Sequence, residues 1–201
     1  MKTFEFQEIT KPQQSFVYPV SGGEEVTIVV VALRQANVRL SVRLTGIGAS
    51  ATVIGFVSGR KDERIAIHTE QLHVSPQTTS NVFVKAALQD ESFVSYDGII
   101  RIERRAQKSD AYQKNDNLLL SPLARARSDP ALEILANDVR CTHGSTTGKL
   151  NEDQLWYLGS RGLSGQEREE LLVRGFFENA IGMISDTMIQ AKVRKLLWMN
   201  V

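Results

Sequence analysis

The sequence predicts a mainly β chain that closes with a small helical segment. Three observations carry this reading. Short runs rich in Val, Ile, Thr and Phe recur between small polar breaks; no helical stretch of ten or more residues separates them; and the pattern turns helical after residue 150. The runs are EVTIVVVAL, NVRLSVRLTG, ASATVIGFVSG, RIAIHTEQLHV, TSNVFVKAAL and SFVSYDGIIRIER, starting near 26, 38, 50, 64, 80 and 92. Without intervening helices a doubly wound α/β sheet is excluded, which leaves a sandwich or barrel, or a solenoid of stacked strands.

Each run supports its own assignment. In NVRLSVRL, Val38, Leu40, Val42 and Leu44 fall on one side and Asn37, Arg39, Ser41 and Arg43 on the other, so one face is wet. The recurrence of roughly 12 to 16 residues suits either architecture. Hairpin signals are scarce: Asp97-Gly98 is the one Asp-Gly pair, and it lies inside a strand-like run. That scarcity leans toward the solenoid, in which each rung borrows its core from its neighbours. Beyond 150, Asn151 stands as an N-cap ahead of Glu152 and Asp153, and Ser164 with Glu167 has the spacing of a capping box. Leu172, Phe176, Ala180 and Met183 fall near one face of the second helix, and Ile189, Val193, Leu196 and Leu197 form a stripe on the last. Trp156 and Tyr157 beside Arg161 suit a packed hinge between β core and helices. The division is therefore a β domain over 1–150 and a helical domain over 151–201.

Composition narrows the function. The 201 residues carry 42% hydrophobic and 23% charged side chains, as an ordinary globular domain does. Twenty-four basic against 23 acidic residues leave a net charge of +1, which argues against nucleic-acid or anionic-membrane partners. The basic stretch 101–116 is interrupted by Glu103, Asp110 and Asp116 and reads as a solvated strand edge or corner. A single cysteine excludes an internal disulfide framework, and the start lacks a signal-peptide pattern, so a cytoplasmic, reducing compartment is expected. There is no G-x-x-x-x-G-K-[ST] phosphate loop, so no nucleotide is expected on this chain. Carboxylates with the spacing of a carbohydrate-active site are absent as well, and no enzymatic activity is expected.

Cys141 and His143 are the residues with the most chemistry to offer. At i and i+2 of a strand they face the same side, where a thiolate and an imidazole reach one iron or cluster, though two ligands do not complete a site. A packed cysteine and a turn histidine are the plainer alternatives. His68 and His73 read as strand residues.

Residues 115–164 resemble the SufB/SufD family of iron-sulfur cluster assembly proteins. The matching pieces are Asn117-Leu118-Leu119-Leu120-Ser121, Pro130 with Leu132-Glu133-Ile134, Asp138-Val139, Cys141 with His143-Gly144, Thr147-Gly148, and Tyr157-Leu158 with Ser160-Arg161-Gly162. The resemblance implies a right-handed parallel β-helix followed by a C-terminal helical domain. It implies a scaffold subunit of a SUF-type assembly complex that pairs with a SufB-like partner, or with itself, through the β-helix. It implies, too, that a SufC-type ABC ATPase docks on the C-terminal helices, where Phe176, Phe177 and Ile181 are the candidate contacts. His143, with Cys141, is then the candidate site for a transient or interfacial iron-sulfur cluster. SufB-like members place a cysteine directly after the tyrosine of the Tyr157 segment; Leu158 stands there, which favours a SufD-like identity. Family members are commonly about twice as long, with an N-terminal helical region, so a compact relative or a piece of a longer one is expected. The alternative is a self-associating β-helix with a structural or metal-holding role and no ATPase partner.

Overall fold

A computed structural model describes residues 2–199. Eleven strands precede three helices. One sheet, A, contains β1 (Lys2–Ile9), β3 (Glu25–Ala32), β5 (Ser50–Gly59), β7 (Thr79–Leu88), β9 (Asp110–Leu119) and β11 (Arg140–Lys149). The other, B, contains β2 (Gln13–Val20), β4 (Ala36–Leu44), β6 (Arg64–His73), β8 (Phe93–Ile102) and β10 (Arg125–Ile134). Successive strands alternate between the sheets, and every pairing within a sheet is parallel, as in Ser50 with Thr79 and Arg64 with Phe93. Among the described residues no pair of sequence neighbours forms a hairpin, which removes the sandwich and leaves a β-solenoid. The helices are α1 (Glu152–Ser160), α2 (Gly165–Ile181) and α3 (Thr187–Trp198).

The corners repeat a backbone device. Gly23, Gly48, Gln77 and Lys108 precede β3, β5, β7 and β9, while Lys61 and Asp90 precede β6 and β8, and all six have positive φ. A left-handed residue turns the chain sharply enough to start the next flat side. Corners then stack by backbone bonds, as from the Gln77 N–H to the Gln107 carbonyl at 2.9 Å.

Which faces are buried explains the sequence pattern. In β3, Val26, Ile28 and Val30 enter the lumen with Val38, Leu40, Val53 and Val84, while Val29 and Val31 point outward under the helices. A strand buried on both faces loses its alternation, hence the unbroken VTIVVVA. The outer face of sheet B is open to solvent, and β4 keeps its alternation.

The helices pack on the outer face of sheet A. Val173, Phe177, Ala180, Ile181, Val193 and Leu197 share one core with Val29, Val31, Ile54, Phe56, Ala87 and Leu118. The buried seam of α2 is therefore Val173, Phe177, Ala180 and Ile181: Ala180 faces the sheet as expected, while Val173 and Phe177 stand there in place of the expected Leu172 and Phe176, and Met183 lies beyond the helix. The first two caps follow the sequence: Asn151 accepts from the Gln154 N–H, and Ser164 and Glu167 form the capping box; in α3 the cap is Asp186, which accepts from the Met188 and Ile189 N–H groups. Arg194 clamps Glu178 with bonds of 2.7 and 2.9 Å, tying α3 to α2. The Trp156 and Tyr157 hinge is not formed. Trp156 is 74% exposed, because α1 buries no residue and leans on α2 rather than on the sheet.

Two strand prolines, Pro19 and Pro130, both lie in the outermost strands of sheet B. An edge is where a missing N–H costs the ladder least. The outer strands of sheet A, β1 and β11, contain none.

Candidate functional site at the open end of the solenoid

The lumen changes character along its axis. Aliphatic residues fill the early rungs, whereas the later ones place Thr69, Gln71, His73, Ser80, Gln113, Asn115 and Asn117 inside, all buried. Buried polar groups are tolerable only when bonded, and these are linked across strands. Tyr96, fully buried, reaches Thr69 at 2.9 Å and donates to Gln113 at 3.4 Å, while the Gln113 amide donates to the Gly98 carbonyl at 3.2 Å. Gly98 is required here, since a Cβ would lie 2.5 Å from both the Tyr96 hydroxyl and the Gln113 Oε1. Burial pushes the Tyr96 phenol up to about 12, so it remains a neutral donor.

His73 sits deepest in this network. Its Nδ1 meets Thr78 Oγ1 and its Nε2 meets Ser80 Oγ, each at 2.7 Å. Ser80 donates its proton to Gln71 Oε1 at 2.6 Å, so it accepts from His73 and fixes the Nε2–H tautomer. Burial lowers the His73 pKa to about 4, against a smaller opposing pull from Asp110.

Cys141 and His143 lie on β11, the last strand of sheet A. Their registers set them over Ala111 and Gln113, on the lumen side of the final rung, as the i, i+2 spacing required. Among the described residues no strand covers β11, so that rung ends at solvent. Cys141 is half-buried against the cluster of Ile100, Ile102, Ala106, Ala111 and Ala136, while His143 is exposed. Burial, with Asp110 adding to it, pushes the Cys141 thiol up to about 11, so it is protonated at neutral pH and ionises only on meeting a metal or a base. Arg140 next to it holds Asp110, its Nε at 3.0 Å. Among the described residues no group of three or more His, Cys, Asp or Glu side chains is placed to hold a metal ion. Two ligands alone do not complete a metal site.

Asn117, the first residue of the Asn-Leu-Leu-Leu-Ser stretch, locks the open end. Its amide donates to Asn115 at 2.9 Å, to Thr147 Oγ1 at 3.1 Å and to Ser128 at 3.2 Å, joining β9, β11 and β10. Sequence reasoning missed this role, and missed the polar lumen. The signal was present in DAYQKNDNLL, where Gln113, Asn115 and Asn117 alternate at the lumen positions.

The remaining candidates separate. Phe177 and Ile181 are fully buried, Phe177 with its ring 6.1 Å from that of Phe56. Phe176 is half-buried with the Lys85 ammonium 4.2 Å from its ring centre. Of the three, Phe176 alone retains exposed surface. His68 lies on the outer face of sheet B, 3.2 Å from Asp97.

The class this geometry defines is an open-ended parallel solenoid, flanked by helices and presenting a thiol and an imidazole on its last rung. The family profile described as SUF system FeS cluster assembly, SufBD core domain, matches residues 21–176. The chain belongs to that family. It is 28% identical over 153 residues to the iron-sulfur cluster assembly protein SufD of Escherichia coli (strain K12), which covers 76% of this chain and 36% of SufD. It is 35% identical over 167 residues to an iron-sulfur cluster assembly SufBD family protein of Mycobacterium tuberculosis (strain ATCC 25618 / H37Rv), covering 78% of this chain and 42% of that protein. A Mycobacterium leprae (strain TN) protein of the same description is 33% identical over 175 residues, covering 82% of this chain and 45% of its own length. The chain spans less than half the length of these relatives. Among the described residues no helix is long and apolar enough to cross a membrane.

Proposed function

We propose that this chain is a SufD-like, non-catalytic scaffold of a cytoplasmic iron-sulfur assembly complex, in which His143 and Cys141 contribute half of an assembly site that a second chain completes. The observation that carries this reading is the placement of both side chains on the lumen side of an uncovered final strand. Iron and sulfide are the cargo of such a site. The exposed imidazole is ready to bind a metal, and the thiol loses its proton as the metal arrives. A SufB-like chain, or a second copy, continues sheet A along β11, whose unpaired backbone is the natural attachment point. In this reading residues 1–150 hold the assembly end and residues 151–201 the docking layer for a SufC-type ABC ATPase. Trp156, Tyr157 and the remaining surface of Phe176 supply its apolar contacts.

Anaerobic reconstitution with iron and sulfide, on the complex purified with its bound chains, tests the site. His143→Ala is expected to keep the fold and to lower cluster yield several-fold, read from the visible absorption. Cys141→Ser is expected to lower it comparably if the thiol is a ligand, and little if it is packing alone. An unchanged yield in His143→Ala removes the imidazole from the mechanism.

Association has its own measurement. Light scattering is expected to show at least a dimer, and a monomer at high micromolar concentration argues against sheet continuation. If an ATPase co-purifies, its loss on removing residues 164–201 is the expected result, and its retention ends the docking reading.

A further inference from the structure

A cavity of about 240 Å³ lies between the outer face of sheet A and the C-terminal half of α2, on the opposite face of the sheet from Cys141 and His143. Its charged lining is one carboxylate and two ammonium groups. Asp116 lies 3.4 Å from Lys85 Nζ and 3.2 Å from Lys114 Nζ. The same carboxylate accepts from the Thr146 hydroxyl at 2.6 Å. Asp116 is 8% exposed; burial works to raise its pKa, but the bonds from Thr146 and Lys114 and the charges of Lys85 and Lys114 outweigh that and hold it below the ordinary carboxylate value. It is therefore ionised, and it neutralises one of two lysines. Burial holds the Lys85 ammonium below its usual value, with Asp116 offsetting part of that. A partly desolvated cleft is thus left with one positive charge in excess, a condition that an anion relieves.

The rest of the lining determines what kind of anion. Tyr112 and Asn179 add neutral donors. Phe83, packed edge-on against Tyr112 with ring centres 5.7 Å apart, makes one apolar wall, and Met183, 47% exposed, makes the other. A bare inorganic ion would leave those walls wet, whereas an anionic head on a flat apolar body uses both.

We propose that this cleft binds a small organic anion, its carboxylate held by Lys85 and Lys114 and its apolar body seated between Phe83, Tyr112 and Met183. The proposal stands apart from the cluster chemistry, because none of these residues belongs to the last-rung pair.

Methyl-labelled methionine NMR tests it on the full chain, with benzoate as the probe and benzamide as a neutral control of the same shape. The Met183 methyl signal is expected to shift saturably with benzoate at millimolar concentration and to move several-fold less with benzamide, while Met188, 79% exposed on α3, keeps its position. Lys114→Gln, at a side chain 41% exposed, leaves the fold intact and is expected to weaken the benzoate affinity at least threefold. Equal shifts from the two probes, no saturable shift, or an unchanged affinity in the lysine variant each overturn the proposal.

Discussion

Phe177→Ala is expected to destabilise the protein by about 3–5 kcal/mol, the range for truncating a fully buried aromatic ring. The ring fills the seam between α2 and sheet A, against Phe56 on one side and Phe176 at 5.3 Å on the other. The lining cannot collapse into the hole, because a sheet hydrogen-bonded on both sides holds Phe56 in place. Phe177→Glu is worse still, since it puts a carboxylate where no cation waits, and it is expected to yield little soluble protein. Phe176→Ala is the control. It loses a half-exposed ring and its contact with Lys85, worth about 1 kcal/mol. Urea unfolding read by circular dichroism measures all three. A Phe177→Ala protein within 1 kcal/mol of the parent would mean that the helices are not held by this seam.

Acid is expected to weaken the fold through His73. Its native pKa, about 4, lies below the ordinary histidine value of 6.5 that the unfolded chain adopts. Between those values the unfolded chain binds the proton and the native one does not, so stability falls as the pH is lowered. The contribution is complete above pH 6.5 and is lost as the pH falls toward 4. A shift of that size corresponds to about 3 kcal/mol. Carboxylates titrate in the same region, so the measurement is a difference: denaturant midpoints from pH 7 to 4 for the parent and for His73→Gln. The variant starts less stable, having lost one of two hydroxyl partners, but its curve is expected to be flatter by that amount. Parallel curves would show that His73 is not buried neutral.

Much of this architecture was legible in the residues, and the failures have physical causes. The six central strands stood out because β-branched and aliphatic residues recur in each, most plainly in Val38, Leu40, Val42 and Leu44 of β4. The strands at the ends did not: the inner faces of β10 and β11 lie at an uncovered rung and include Ser128, His143, Ser145 and Thr147, and β9 fills the lumen with amides instead of aliphatic groups. A hydropathy pattern finds a strand only if its inner face is dry. The position of Cys141 and His143 followed from strand alternation, yet the side they share was readable only from the register with Ala111 and Gln113. Phe177 was misjudged for a geometric reason. Two adjacent helical residues do point apart, but sequence cannot say which of them meets the sheet, and a rotation of one residue exchanged their roles.

The all-parallel pairing also bears on how quickly the chain can fold. Every strand waits for a partner two strands back, across a complete circuit of the coil, so Ser50 cannot find Thr79, or Asp110 find Arg140, until the corner and the opposite side between them have been drawn in. The first circuit therefore carries a loop-closure penalty that no hairpin offsets, and topology of this kind is slow. Once one circuit exists, it is a template, and each further one adds at the local cost of its own corners. The aliphatic rungs around β3 to β7 gain from collapse before their hydrogen bonds are complete. The amide-lined rungs gain only afterwards, when neighbours on three strands are in place to receive Asn117. Assembly should begin in the middle of the chain and arrive last at the rung that holds Cys141 and His143.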